Sequence, residues 1–181
     1  MYTGIQYIME TANYVGSLYL SDSYSNFTNN EDYQRVGSSV LYDNFTFEFD
    51  AKPTVTTPIY SLKEYAGNGN NFILYDSYTT DSNTAGIGLA IGTNGAVAIA
   101  HGPNYYYVLL TYKGNLSEKH RYRFTLKNNV PYLYVDGSLV ATGIEPFSPI
   151  SILKTNSFIL AGSYGTYTGY ANNFVLYNTA R

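Results

Sequence analysis

The chain is expected to be all-β, built as a sandwich or barrel of antiparallel strands. Three observations predict it. Apolar residues recur with a period of two in one segment after another, the signature of half-buried strands. Clusters of Ser, Thr, Asn and Gly separate those segments at roughly regular spacing. No apolar stripe of helical spacing lasts beyond about two turns. Tyr supplies 22 residues and Phe 9, and this Tyr- and Thr-rich composition suits pleated, half-exposed surfaces.

In chain order, strands are expected over Val15–Leu20 and Val36–Leu41. Phe45, Phe47, Phe49 and Ala51 then alternate with Thr46, Glu48 and Asp50, a strand with one wet face. Pro58–Tyr65, Asn71–Tyr78, Ala85–Gly92, Ala96–His101 and Tyr105–Tyr112 follow. Tyr122, Phe124 and Leu126 alternate with Arg121, Arg123, Thr125 and Lys127. Tyr132–Val135 and Ser138–Thr142 form a hairpin across Asp136-Gly137, a pair that tolerates the positive φ angles of a type I′ turn. Ser157–Ala161 and Tyr170–Tyr177 complete the set. The Gly-spaced run Gly86–Gly92 has no following helix and no Lys-Ser/Thr, so it reads as close sheet packing rather than a phosphate cradle.

The 181 residues suit a single domain spanning 1–181; a domain of that size buries roughly 70% of its unfolded surface. Charged residues make up 13%, about half of the usual ~25%. The formal charge of −3 leaves no basic surplus for phosphates, so nucleic acid is not an expected partner. Without Cys there is no disulfide, thiolate metal site or cysteine nucleophile. No run approaches the ~18 apolar residues of a membrane span. The opening, Met1–Glu10, has neither the cationic nor the apolar region of a signal peptide.

Three segments, in order, resemble the concanavalin A-like/laminin G-like jelly roll and its bacterial and phage members. Asn44–Pro53 resembles that family's opening core strand. His120–Gly137, with Tyr134-Val-Asp-Gly137, resembles its central strand and hairpin. Phe158–Ser163 and Gly169–Asn178 resemble its closing strands. The resemblance implies an all-β, two-sheet antiparallel jelly-roll sandwich with loops at its rim. Members include sugar-binding and adhesion modules, glucanases and viral structural domains, so fold alone does not fix function. Where the family carries an acidic pair before the last strand, this chain has Asn172-Asn173, and neutral amides hold Ca²⁺ less well than carboxylates.

The retaining glucanases of this fold pair two Glu about 5 Å apart through Glu-x-Asp-x-x-Glu. Glu48-Phe-Asp50 begins that motif, but Pro53 stands in place of the second Glu. The two histidines read as a turn residue (His101) and a solvated strand start (His120). No catalytic residue is therefore assigned, and the chain is expected not to be an enzyme. Binding has better support. Tyr164, Tyr167 and Tyr170 lie in a Gly-rich stretch, and Tyr105 opens a second cluster, Tyr105-Tyr106-Tyr107. Such rings offer a flat apolar face and a hydroxyl for stacking on sugars, so these four are the expected ligand-binding residues. They are expected to be more exposed than Tyr132 and Tyr134, which alternate within the hairpin. No cofactor is expected. Asp22, Asp32, Asp43, Asp76, Asp81 and Asp136 could give oxygens to a structural calcium, but none has the spacing of a dedicated loop, and the metal ligands stay unassigned. The three Asn-x-Ser/Thr sequons are no more than composition gives by chance.

The function expected is a non-catalytic glycan-binding or adhesive jelly roll, set extracellularly or on a virion surface as a phage capsid decoration or tail protein. A chain that opens on Met1 without a leader, released by lysis, fits that setting. The alternative is a carbohydrate-binding module cut from a secreted bacterial enzyme or adhesin. The partner is expected to be a glycan or another virion or cell-surface protein, and an oligomer is compatible with the sequence.

Overall fold

The computed structural model describes residues 14–18, 25–27, 41–67, 69–76, 83–102, 105–146, 150, 152–155, 158–159 and 167–181. The strands are β1 (Tyr14–Leu18), β2 (Ser25–Phe27), β3 (Leu41–Tyr42), β4 (Asn44–Pro53), β5 (Phe72–Asp76), β6 (Thr84–Gly92), β7 (Gly95–Gly102), β8 (Tyr105–Lys113), β9 (His120–Lys127), β10 (Val130–Val135), β11 (Ser138–Thr142), β12 (Ile152–Thr155), β13 (Phe158–Ile159) and β14 (Gly169–Tyr177). Among the described residues there is no helix, hence none long and apolar enough to cross a membrane.

The strands form two seven-stranded sheets. The first runs β1-β14-β4-β9-β10-β11, with β2 also on β14. In the second, β6 lies between β7 and β5; β8 flanks β7 and β13 flanks β5. Among the described residues every pairing is antiparallel but one: β12 runs parallel to β6, through Ile152↔Thr84 and Leu153↔Ala85. The last strand lies between β1 and β4, so the sheet is closed by chain segments far apart in sequence.

Period two decides what faces the core. On β4, Phe45, Phe47, Phe49 and Ala51 are fully buried, while Glu48, Asp50 and Lys52 stay half-buried on the other face. Tyr122, Phe124 and Leu126 of β9 and Ala171, Phe174 and Leu176 of β14 join the same inner face. Phe49 stacks on Tyr122 at 5.3 Å and on Phe174 at 5.4 Å. The second sheet answers with Ile87, Leu89 and Ile91 of β6 and with the alanines of β7. Burying each large side chain contributes about 1.5–3 kcal/mol.

The second sheet is covered on its outer face too. Phe72, Tyr75, Ala90, Val97, Ile99 and Val108 form a separate cluster, packed against Ile59, Tyr60 and Ala66 of the segment before β5. That segment holds the expected strand Pro58–Tyr65, which is not a strand. Lys63 takes φ +69°, and Ser61 and Glu64 close a turn through Glu64 N–H to Ser61 C=O and Ser61 N–H to the Glu64 carboxylate. The segment still satisfies β8 at its outer edge, with bonds from Lys63 N–H to Val108 C=O, Val108 N–H to Glu64 C=O and Ala66 N–H to Tyr106 C=O. An edge that would otherwise invite another chain is thereby sealed. The covering chain lies so close that a Cβ on Gly92 would stand 2.2 Å from Thr57 N, which explains a glycine at the end of β6.

His101, read from the sequence as a turn residue, ends β7 and is buried. Its ring stacks on Tyr106 at 4.8 Å, and the Tyr75 hydroxyl lies 3.2 Å from Nδ1. Burial pushes it from 6.5 down to about 4. Tyr167 corrects a second expectation. It was expected to be exposed, yet it is fully buried, and its hydroxyl donates to the Tyr170 carbonyl at 3.1 Å. Burial holds its phenol well above the ordinary range. The glycine beside it gives the reason: Gly169, at φ +153°, lets the chain close where a Cβ would stand 2.7 Å from the Tyr167 hydroxyl. The Gly spacing thus turns this ring inward rather than displaying it.

Two outcomes follow from these buried groups. In the unfolded chain His101 titrates near 6.5, so between pH 6.5 and 4 the unfolded state binds more protons. Its contribution is full above pH 6.5 and is lost as pH falls toward 4, about 3 kcal/mol in all. Urea melts at pH 7 and pH 4.5 should show that loss, and His101→Phe should remove most of it; equal losses in both proteins would clear His101 of the effect. Tyr167→Ala should cost roughly 3–5 kcal/mol, as large aromatic deletions in cores do. Tyr170→Ala, at an exposed position, should stay within about 0.5–1 kcal/mol in the same thermal melts.

Candidate functional site

The outer face of the first sheet, across β14, β4, β9 and β10, is where side chains remain open. Its geometry begins with two tight turns. Asn128 and Asn129, at φ +49° and +65°, join β9 to β10. Asp136 and Gly137, at +49° and +81°, join β10 to β11, as a type I′ pair should. The first turn sets Tyr132 opposite Thr125 and Tyr134 opposite Arg123. Asp136 steadies the second: it accepts from the Arg121 N–H at 2.9 Å and lies 2.7 Å from His120 Nδ1. The bond with His120, then that from Arg121, holds its carboxyl below the usual range.

At one end of this face the charges are mutually engaged. Arg121 reaches Glu48 at 3.1 Å and Asp50 at 3.2 Å, and donates to the Asn173 carbonyl at 3.0 Å. Asn173 sits in a bulge of β14 at φ +55° and gives its amide to Asp50 at 2.9 Å. A guanidinium therefore bridges the two carboxylates, and the Lys119 ammonium stands 3.9 Å from Asp50 as well. Glu48 and Asp50 share one arginine, and Pro53, where a glucanase needs its second Glu, is buried. This is not the pair of separately poised carboxylates that glycoside hydrolysis uses.

At the other end, residues 178–181 fold back over the sheet. Thr46 donates to the Thr179 carbonyl and receives the Arg181 N–H, and Thr125 donates to the Arg181 carbonyl, each at 2.9 Å. This explains why two outer-face threonines are buried. Beside the crossing lies a cleft of about 180 Å³ lined by Thr125, Lys127, Tyr132, Tyr134, Ala180 and Arg181. Arg123 lies over the Tyr134 ring at 3.8 Å, and Arg181 over Tyr177 at 3.9 Å. Cations held on aromatic faces in this way keep their orientation.

The expected ligand-binding residues do not converge here. Tyr164 lies outside the described residues. Tyr167 is core. Tyr170 is exposed on the outer face of β14, opposite Lys52 in register. The backbone of Tyr105 pairs with Gly102 in the second sheet; its side chain lies outside the described residues. Of its neighbours, Tyr107 is core and Tyr106 stacks on His101. Tyr132, Tyr134 and Lys127 are the residues that sequence reasoning passed over. The signal was present: Arg123, Thr125 and Lys127 share one face of β9, and a two-residue turn must bring every second residue of β10 onto that same face. Among the described residues no three His, Asp or Glu side chains come together; Asp22, Asp32 and Asp81 lie outside them.

No family model and no curated protein sequence matches the chain. Solved structures do. A heptameric SAP-like pentraxin from Limulus polyphemus superposes with a TM-score of 0.56 at 9% identity, over 88% of this chain and 76% of that one. The binding domain of botulinum neurotoxin DC in complex with SialylT gives 0.56 at 11% identity, over 98% of this chain. The same domain in complex with rat synaptotagmin II gives 0.52 at 10% identity, again over 98%. The chain spans 42% of the length of those toxin chains. At such identities the likeness is one of fold: the chain is a jelly-roll β-sandwich.

Proposed function

We propose that the chain is a non-catalytic glycan-binding module that uses the outer face of its first sheet. One observation carries the reading. Among the described residues, the outer face of β4, β9, β10 and β14 is crossed by residues 178–181, and the cleft there is edged by two tyrosines on alternate positions of one strand. Residues two apart on a strand stand about 7 Å apart on one face. They present apolar faces and hydroxyls together, which is what sugar rings need. The toxin binding domain in complex with SialylT, which shares this fold over 42% of its chain, supports the reading. The engagement of Glu48 and Asp50 by one arginine favours binding over hydrolysis. A setting outside the cell or on a virion surface suits the low charge of the chain, with a module of a secreted enzyme or adhesin as the other setting. Structural calcium is no part of the proposed site.

The test is a glycan array with the intact chain, repeated with Tyr134→Ala and Tyr132→Ala. Each ring removed from the cleft should lower affinity about tenfold or more, as loss of an anchor of ~1–2 kcal/mol does. The melting temperature should move by only a few degrees, since both rings are half-exposed. Binding that survives both substitutions would move the site elsewhere.

A further inference from the structure

The cleft on the first sheet is lined by cations in a chain that is acidic overall. The chain carries 13 acidic and 10 basic residues. Yet the cleft is lined by Lys127 and Arg181, with Arg123 alongside over Tyr134, and no carboxylate side chain lines it. Among the described residues none of these three cations forms an ion pair. Arg123 has a carboxylate directly across the strand pair, since Glu48 is its register partner. That carboxylate is turned to Arg121. Arg123 Nε is buried and has no acceptor among the described residues.

We infer that the cleft selects a carboxylate-bearing glycan, one whose sugar rings meet Tyr132 and Tyr134 while its acid group is held by Lys127 and Arg181. The inference rests on the glycan-binding reading and adds the charge of the ligand. A planar guanidinium accepts a carboxylate through two parallel bonds, and the flexible ammonium of Lys127 adds a second point of charge. The two tyrosines, with their flat faces and hydroxyls, mark the site as one for a polyol rather than a free ion: an inorganic anion would have no use for the two rings. Among the described residues neither cation is engaged by an acidic side chain, so a ligand carboxylate displaces no ion pair described there when it binds. Two exposed cations act across solvent, so their attraction is screened as salt is added.

The experiment uses an array that prints acidic glycans, sialylated and uronate-bearing, each beside its neutral counterpart, desialylated or carboxyl-reduced. The intact chain should bind members of the acidic set at least tenfold more tightly than their counterparts. The preference should shrink between 50 and 500 mM NaCl. Lys127→Gln with Arg181→Gln should abolish the preference and leave the melting temperature unchanged, because both side chains are exposed. Neutral glycans bound as tightly as acidic ones, or a preference that survives the double substitution, would overturn the charge assignment and leave the glycan-binding reading standing. No binding to either set, while a protein partner is captured at the same face, would overturn both.

Discussion

Phe49, held between Tyr122 and Phe174 at 5.3 and 5.4 Å, ties three neighbouring strands into one inner surface. Its rings come from β9, β4 and β14, which lie side by side but are separated in sequence by more than the length of most loops. Stacked rings tolerate little sliding. A shift of one residue in any of these strands would bring Glu48, Asp50 or Arg121 into the sandwich and send a phenylalanine to solvent. The register is fixed from inside, and the rows on the outer face are its consequence. Arg123 meets Glu48 across one strand pair and Tyr134 across the other only because Phe49 meets Tyr122.

The two sheets dispose of their outer faces differently, and residue size explains why. In the second sheet those positions are small or apolar: Gly88, Ala90, Val97 and Ile99. Such a surface is costly to leave wet, and the chain ahead of β5 lies down on it through Ile59, Tyr60 and Ala66, with a Cβ on Gly92 standing 2.2 Å from Thr57 N. In the first sheet the same positions are Glu48, Asp50, Arg121 and Arg123, which need water or one another. Nothing apolar calls for a cover at those positions, and among the described residues 178–181 cross, held through Thr46 and Thr125. Among the described residues the sandwich therefore has one covered outside and one with open side chains, and the latter carries the cleft.

Most of the fold was legible because alternation survives wherever one face is wet. Phe45-x-Phe47-x-Phe49 and Tyr122-x-Phe124-x-Leu126 could hardly be read otherwise. Pro58–Tyr65 misled because its apolar residues serve a cover, not a pleat: Ile59 and Tyr60 are placed by contact with the second sheet, and a turn at Lys63 breaks any period. Tyr167 misled for a related reason. Glycine near an aromatic residue permits display, but it equally permits a close approach, and only the neighbouring backbone of Lys52 and Pro53 decides between them. Tyr132 and Tyr134 were undervalued because a tyrosine in a hairpin is ordinarily half core. What settles their exposure is the alternation of their own strand, with Pro131 and Leu133 buried on the opposite face.

The charge on the open face has its own logic. Arg121 takes two carboxylates and a carbonyl and so leaves Arg123, its neighbour two positions on, without the acid that the register sets opposite it. Arg123 settles on Tyr134 instead. An arginine fixed on a ring has given up much of its side-chain freedom in the folded chain, as Arg181 has on Tyr177. A ligand that meets such groups encounters charges already in place, and less of its binding free energy is spent on ordering them. The same economy of acids that ties down one end of the sheet is what leaves the other end cationic, in a molecule that is acidic overall.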